Sequence, residues 1–251
     1  SPLPPRPARR RLATVAPWRW PPRPVRWGVV APRLRVDVVL PARDAEATLP
    51  ALLDVLAGRE VRAAVVVDRG STDATAGKAR DRGAVVLRAA GGGYGAACLR
   101  AMQHFAELPE PPDVVAFVPA DAHLAPGDVE RLVAPLASVD AELTLAVRPG
   151  RGALRDKVVT SLIHAVYGHR IHDPSPVRAI RYPALVALGM SDRGDGWNVE
   201  MLVRGLRLGL GVLEVDLGDG APLRGSRLGL SRAAVAGGRS LFHILRHATV
   251  R

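Results

Sequence analysis

A single α/β domain built on a mostly parallel sheet is the fold class this chain predicts, and three consecutive segments predict it. They are VVLPARDAEATL at 38–49, VVVDRGSTDATAGKARDRGA at 65–84 and VVAFVPADAHLAPGDVERLV at 114–133. Each is a short β-branched run that ends in acidic and small residues and then passes into a helix-like stretch. A parallel sheet flanked by helices has this pattern, and it presents its ligand-binding groups at its carboxyl edge. At 251 residues the chain is long enough for one good core.

The first strand is expected over 35–40, with Pro41 ending it, because proline has no N–H for a ladder. Leu49, Leu52, Leu53 and Leu56 recur at helical spacing and predict a helix over 46–57. A second strand follows at 63–67. Ser71-Thr72-Asp73 then supplies capping chemistry for a helix through about residue 81. Val85, Val86 and Leu87 form a third short strand. The run Gly91-Gly92-Gly93-Tyr94-Gly95 precedes a helix over 96–106; such a run lets backbone amides approach a phosphate, and it equally serves a tight strand-to-helix turn. A fourth strand at 113–118, a helix at 127–137 and a further strand at 141–147 complete the pattern.

The net charge of +11 is concentrated in one place. Residues 1–35 hold nine arginines and no Asp or Glu, so the rest of the chain nets only +2. This segment, taken as 1–34, is also proline-rich and carries Trp18, Trp20 and Trp27. Its composition predicts an extended or disordered tail ahead of a domain over 35–230. Arginine interleaved with tryptophan suits an anionic membrane surface, although lysine is scarce and a compositional bias toward arginine explains many of these residues equally well. Residues 231–251 read as a basic C-terminal helix able to rest at a lipid interface. Nucleic acid is not an expected partner, because the charge has no fold-level support. No apolar run is long enough to span a bilayer, and there is no signal-peptide pattern. Cys98 is the only cysteine, which excludes an internal disulfide and a cysteine-rich metal site. A cytoplasmic location follows as the expectation, with peripheral contact at the inner face of the membrane.

Asp68, Asp73 and Asp121 all fall at predicted strand ends. Any one of them alone is more often a turn former or helix cap; their joint placement points to a site. With these segments, HDPSPVRAIRYPALVALGM at 172–190 and GDGWNVEMLVRGLRLGLGVLEVDL at 194–217 complete an order that resembles the family 2 glycosyltransferases of the GT-A fold. Within that family it is similar to the branch of dolichyl-phosphate mannose synthase and related polyprenyl-phosphate glycosyltransferases. The similarity covers about residues 35–230.

The resemblance implies specific roles. Pro41, Ala42 and Glu46 would line the nucleoside pocket, and Asp68 would accept from the base. Gly95 belongs to the glycine run beside the donor. Asp121 stands as the second aspartate of the family's Asp-x-Asp motif, and His123 follows as a further metal ligand, a pairing suited to manganese or magnesium. Arg148 and Arg178 would clamp the acceptor, with Asp173 on the acceptor side. Glu200 would open a helix beneath the site after Trp197, and Arg227 would reach the donor phosphates. Two positions depart from the pattern: Pro119 replaces the first aspartate of Asp-x-Asp, and Arg69 places a cation beside the base pocket, where a guanidinium near the diphosphate would replace part of the metal's charge.

The implied chemistry is inverting displacement at the anomeric carbon of a nucleotide-diphosphate sugar. A polyprenyl phosphate acceptor would need no strong base, whereas a hydroxyl acceptor would call on Asp173 or Asp195. Two alternatives stay open. One is a catalytically impaired relative that binds a nucleotide or a protein partner on the same fold. The other is a nucleotidyltransferase, which Pro-Ala-Arg-Asp-Ala-Glu at 41–46 fits poorly because it lacks the glycine-rich loop for a triphosphate.

Overall fold

The computed structural model describes residues 34–218, apart from 58–59, 90, 139–140, 148–159, 162, 166 and 173–174. The basic tail, the C-terminal helix expected at 231–251, and Arg148, Asp173 and Arg227 therefore lie outside the described residues.

Seven strands form one sheet: β1 (Val36–Ala42), β2 (Val61–Asp68), β3 (Val85–Arg88), β4 (Val114–Phe117), β5 (Leu143–Val147), β6 (Arg178–Arg181) and β7 (Val212–Asp216). Their order is β3-β2-β1-β4-β6-β5-β7. All neighbours pair in parallel except β6, which runs antiparallel to both β4 and β5. β1 is buried along its whole length, as a central strand covered on both faces must be.

Pro41 does not end β1. The strand continues to Ala42, pairing Pro41 with Val67 and Ala42 with Asp68. On the other side, the ladder with β4 stops at Val39 and Phe117. Past its end the Val39 carbonyl accepts from Val118 N at 2.9 Å and the Pro41 carbonyl from Ala120 N at 3.3 Å. The proline thus sits where the missing N–H has no ladder position to fill.

Helices cover both faces. On one lie α1 (Leu49–Leu56) and α4 (Asp128–Ser138), whose Leu49, Leu52, Leu53, Leu56, Leu132 and Leu136 pack on Val38, Leu40 and Ala116. The short α2 (Thr75–Arg80) joins β2 to β3. On the opposite face lie α3 (Tyr94–Glu107) and α6 (Trp197–Arg207), whose Cys98, Ala101, Phe105, Trp197 and Met201 pack with Val39, Phe117 and Ile180. The helix α5 (Tyr182–Ala187) follows β6 directly. The observed α3 begins two residues earlier than expected, inside the glycine run. β6, α5 and β7 carry no separate sequence expectation. In β6, Arg178 and Arg181 bracket Ala179 and Ile180, so a clean apolar alternation is absent and only the antiparallel pairing with β4 and β5 defines the strand. No helix among the described residues is long and apolar enough to cross a membrane.

The amino edge of the sheet is held by ion pairs. Asp37, 1% exposed, receives Arg62 through Nε and Nη2 at 2.8 and 2.6 Å. Arg35 likewise engages Asp113 at 3.1 and 2.9 Å. Asp37→Ala is expected to lower stability by about 2–3 kcal/mol, less than the roughly 3–5 kcal/mol of a fully buried pair because the Arg62 side chain retains some water. A urea unfolding midpoint measures the loss.

Candidate active site

The carboxyl ends of β1, β2 and β4 place three loops side by side. After β1, Arg43 to Thr48 cross to the loop after β2 and lock to it. Ser71 Oγ accepts from Asp44 N at 3.0 Å, Thr75 Oγ1 from Ala45 N at 2.8 Å, and Asp73 from Glu46 N at 3.1 Å. Asp44 adopts a left-handed backbone, φ 47°, a conformation that Asp tolerates better than most side chains. Its carboxylate accepts from the Thr72 N–H at 2.8 Å and from the Thr72 hydroxyl at 3.1 Å. Burial works against the Asp73 carboxylate, but hydrogen bonds from the Thr75 side chain and backbone and from Glu46 outweigh it and hold its pKa below the ordinary value. This interlock fixes the position of the residues expected to line the nucleoside pocket.

Pro41 and Ala42 are buried at the end of β1, and the Ala42 carbonyl accepts from Arg69 N at 2.9 Å. Asp68, 3% exposed, ends β2 and accepts from Ser71 N at 2.9 Å. Glu46 is partly exposed and turns toward α2, where its carboxylate meets Ala74 N at 3.3 Å and Lys78 Nζ at 3.4 Å. Past β4, the Pro119 carbonyl accepts from Ala122 N at 2.9 Å and the Ala120 carbonyl from the Thr48 hydroxyl at 3.0 Å. Asp121 is half-buried at this tip and His123 is exposed two residues on. No group of three metal-capable side chains occurs among the described residues.

On the α3/α6 face the glycine run meets residues 191–195. Gly95 N–H donates to the Gly194 carbonyl at 2.9 Å and Ala96 N–H to the Arg193 carbonyl at 3.0 Å. These amides are engaged by the protein itself. A Cβ on Gly95 would lie 2.0 Å from the Asp192 carbonyl oxygen. The glycine is required for close backbone approach.

Glu200 holds the opposing loop. It is fully buried and accepts from Ser191 N at 3.2 and 3.1 Å, Ser191 Oγ at 2.7 Å and Asp192 N at 2.7 Å, and it pairs with Arg204 at 2.8 Å. With its lone pairs occupied in this way, it positions residues 191–194 against the first turn of α3. Arg178 is also fully buried. Its guanidinium donates through Nε to the Ser175 carbonyl at 3.0 Å, through Nη2 to the same oxygen, and through Nη1 to the Asn198 carbonyl at 2.8 Å. These contacts tie β6 to the start of α6. Asp195 is exposed on the loop before α6.

The structure therefore brings Asp68, Glu46, Pro41, Ala42, Arg69 and Asp121 to one edge, and sets Gly95, Arg178 and Glu200 behind it on the α3/α6 face. Asp44 and Tyr94 were not singled out from the sequence. Asp44 lies two residues before Glu46 in the first motif, and Tyr94 interrupts the glycine run; neither position shows its backbone geometry or burial locally.

A parallel-dominated sheet flanked by helices, with the loops after β1, β2 and β4 side by side at its carboxyl edge, is the GT-A arrangement. Residues 37–183 match the model of glycosyl transferase family 2, and the chain belongs to that family. An uncharacterized glycosyltransferase of Mycobacterium tuberculosis is 36% identical over 193 residues, covering 74% of this chain and 85% of the relative. A protein of the same description from Mycobacterium bovis matches equally. Among solved structures, glucosyl-3-phosphoglycerate synthase from Mycobacterium tuberculosis, in complex with Mn2+, UDP-glucose and phosphoglyceric acid, superposes with a TM-score of 0.74 at 25% identity, covering 87% of this chain and 81% of that one. Its complex with UDP gives 0.75 at 25% identity, with 93% and 87% covered.

Proposed function

We propose that this protein transfers a sugar from a nucleotide-diphosphate donor, with UDP-glucose the first candidate, to a small phosphorylated acceptor bearing a hydroxyl. The observation that supports it most directly is the placement of Asp68 and Asp121 at one sheet edge, in a chain similar over most of its length to a synthase solved with UDP-glucose and phosphoglyceric acid. Asp68 accepts from the base while the β1–β2 interlock holds its pocket. Asp121, assisted by His123, is the protein's handle on a divalent metal, manganese or magnesium. A hard divalent ion bound through one or two carboxylates takes its remaining oxygens from substrate phosphates, so a small protein ligand set fits this use. The bound metal supplies charge at the departing diphosphate. A hydroxyl acceptor needs a base, and Asp173 and Asp195 are the candidates on the acceptor side.

The arginine- and tryptophan-bearing N-terminal segment favours a second acceptor class, a polyprenyl phosphate reached at an anionic membrane surface. One assay separates the two. The full chain is incubated with UDP-glucose, Mn2+ and either 3-phosphoglycerate or a polyprenyl phosphate in vesicles, and UDP release and product mass are followed. Glucosylated phosphoglycerate supports the first reading, and transfer only to the lipid supports the second. Asp121→Ala is expected to lower turnover at least about 100-fold, the scale of losing an electrostatic group at a leaving group. The anomeric coupling of the product, read by NMR, tests the inverting course. Absence of transfer and of UDP binding would favour the non-catalytic alternative.

A further inference from the structure

The chain departs from its family's pattern at Arg69 and Pro119, and the fold places these two departures on either side of one strand end. Arg69 N–H bonds the Ala42 carbonyl at 2.9 Å on the β2 side of β1, while Ala120 N–H bonds the Pro41 carbonyl at 3.3 Å on the β4 side. Arg69 and Asp121 thus flank the carboxyl end of β1. The Arg69 side chain, only partly exposed, folds toward the first turn of α3, with Nε 3.4 Å from the Gly92 carbonyl. There it acts electrostatically on both Tyr94 and Cys98, as Arg178 does from β6. Two guanidinium groups therefore approach the same pair of buried side chains. Arg178 is fully buried and held by backbone carbonyls, whereas Arg69 is partly exposed.

A partly exposed guanidinium beside the carboxyl end of a buried central strand matches one chemistry, a phosphate oxyanion.

We infer that Arg69 is a fixed cation for the donor's diphosphate, supplying beside β1 part of the charge that a metal would contribute more fully if an aspartate stood at Pro119. This rests on the nucleotide-sugar reading above. Its consequence is a donor site whose affinity for a nucleoside diphosphate depends only modestly on metal.

The test is calorimetric titration of the full chain with UDP, with uridine and with 3-phosphoglycerate, each in EDTA and in Mn2+, for the wild type and for Arg69→Gln, Arg69→Lys and Pro119→Asp. The wild type is expected to bind UDP in EDTA, with Mn2+ tightening it by less than about tenfold. Arg69→Gln is expected to weaken metal-free UDP binding about 10- to 100-fold, the span of a charge-assisted hydrogen bond, while uridine binding stays unchanged. Arg69→Lys keeps the charge and recovers part of the loss. Pro119→Asp raises the Mn2+ effect on UDP above that of the wild type. Equal losses for UDP and uridine, or a loss confined to 3-phosphoglycerate, would overturn the assignment, the latter by moving the cation to the acceptor phosphate. Wild-type UDP binding that exists only with Mn2+ would also overturn it while leaving the nucleotide-sugar reading intact. No UDP binding under any condition would instead remove that reading itself.

Discussion

Replacing Glu200 with alanine is expected to destabilise the protein by about 3–5 kcal/mol, the range for removing one partner of a buried charged network. The Ser191 N–H and hydroxyl, the Asp192 N–H and the Arg204 guanidinium all converge on this one carboxylate. Alanine removes the acceptor they share; Glu200 itself is fully buried, while Ser191 lies at the surface and the Arg204 side chain is partly exposed. For a chain of this size the loss corresponds to about 6–20 °C in Tm. Glu200→Gln keeps one carbonyl acceptor and the volume, and should lose less. The comparison separates two roles. A carboxylate acting directly on the reaction would, as glutamine, lower turnover with little change in Tm. A carboxylate that holds residues 191–194 lowers both together, and the contacts observed predict the second result. Thermal unfolding with a parallel turnover assay decides between them.

Gly95→Ala is the second large effect. The added methyl would meet the Asp192 carbonyl oxygen at 2.0 Å and the Asp192 carbonyl carbon at 2.9 Å, both backbone atoms that cannot rotate away. Either α3 or the loop before α6 must shift, breaking the Gly95 to Gly194 and Ala96 to Arg193 hydrogen bonds. The expected cost is about 1–3 kcal/mol or more, as for other overpacked sites. Because Arg69 touches the same turn through Gly92, UDP affinity should fall as well. Gly77→Ala is the control: it lies in α2 with nothing within 4 Å of its added carbon and should stabilise by about 0.5–1 kcal/mol. If both variants melted at the wild-type temperature, the close approach at Gly95 would not hold in solution.

The two predictions concern the same junction, and its parts were unequally legible in the sequence. The glycine run was visible as a turn able to approach something closely, but whether a phosphate or a backbone came near is a question of what packs opposite. In the fold the opposing group is the loop held by Glu200, about a hundred residues further along the chain. Glu200 likewise carried a family role by resemblance, yet its saturation by Ser191, Asp192 and Arg204 depends on how that loop folds back over α6. Arg178 was expected at the acceptor. Its burial follows from β6 lying between β4 and β5, a pairing across about sixty residues from β4 that no local pattern encodes.

Hydrophobic periodicity and turn chemistry are local properties. They were enough to determine the α/β class, the first four strands and the helices after them, and the placement of Asp68 and Asp121 at strand ends, because a strand buried on both faces must be apolar until it reaches its edge. The continuation of β1 through Pro41, the antiparallel β6, the engaged amides of Gly95 and Ala96, and the approach of Arg69 and Arg178 to Tyr94 and Cys98 were decided only by tertiary structure. Each depends on which distant group occupies the facing position, and the free energy of that contact belongs to the pair and not to either segment alone.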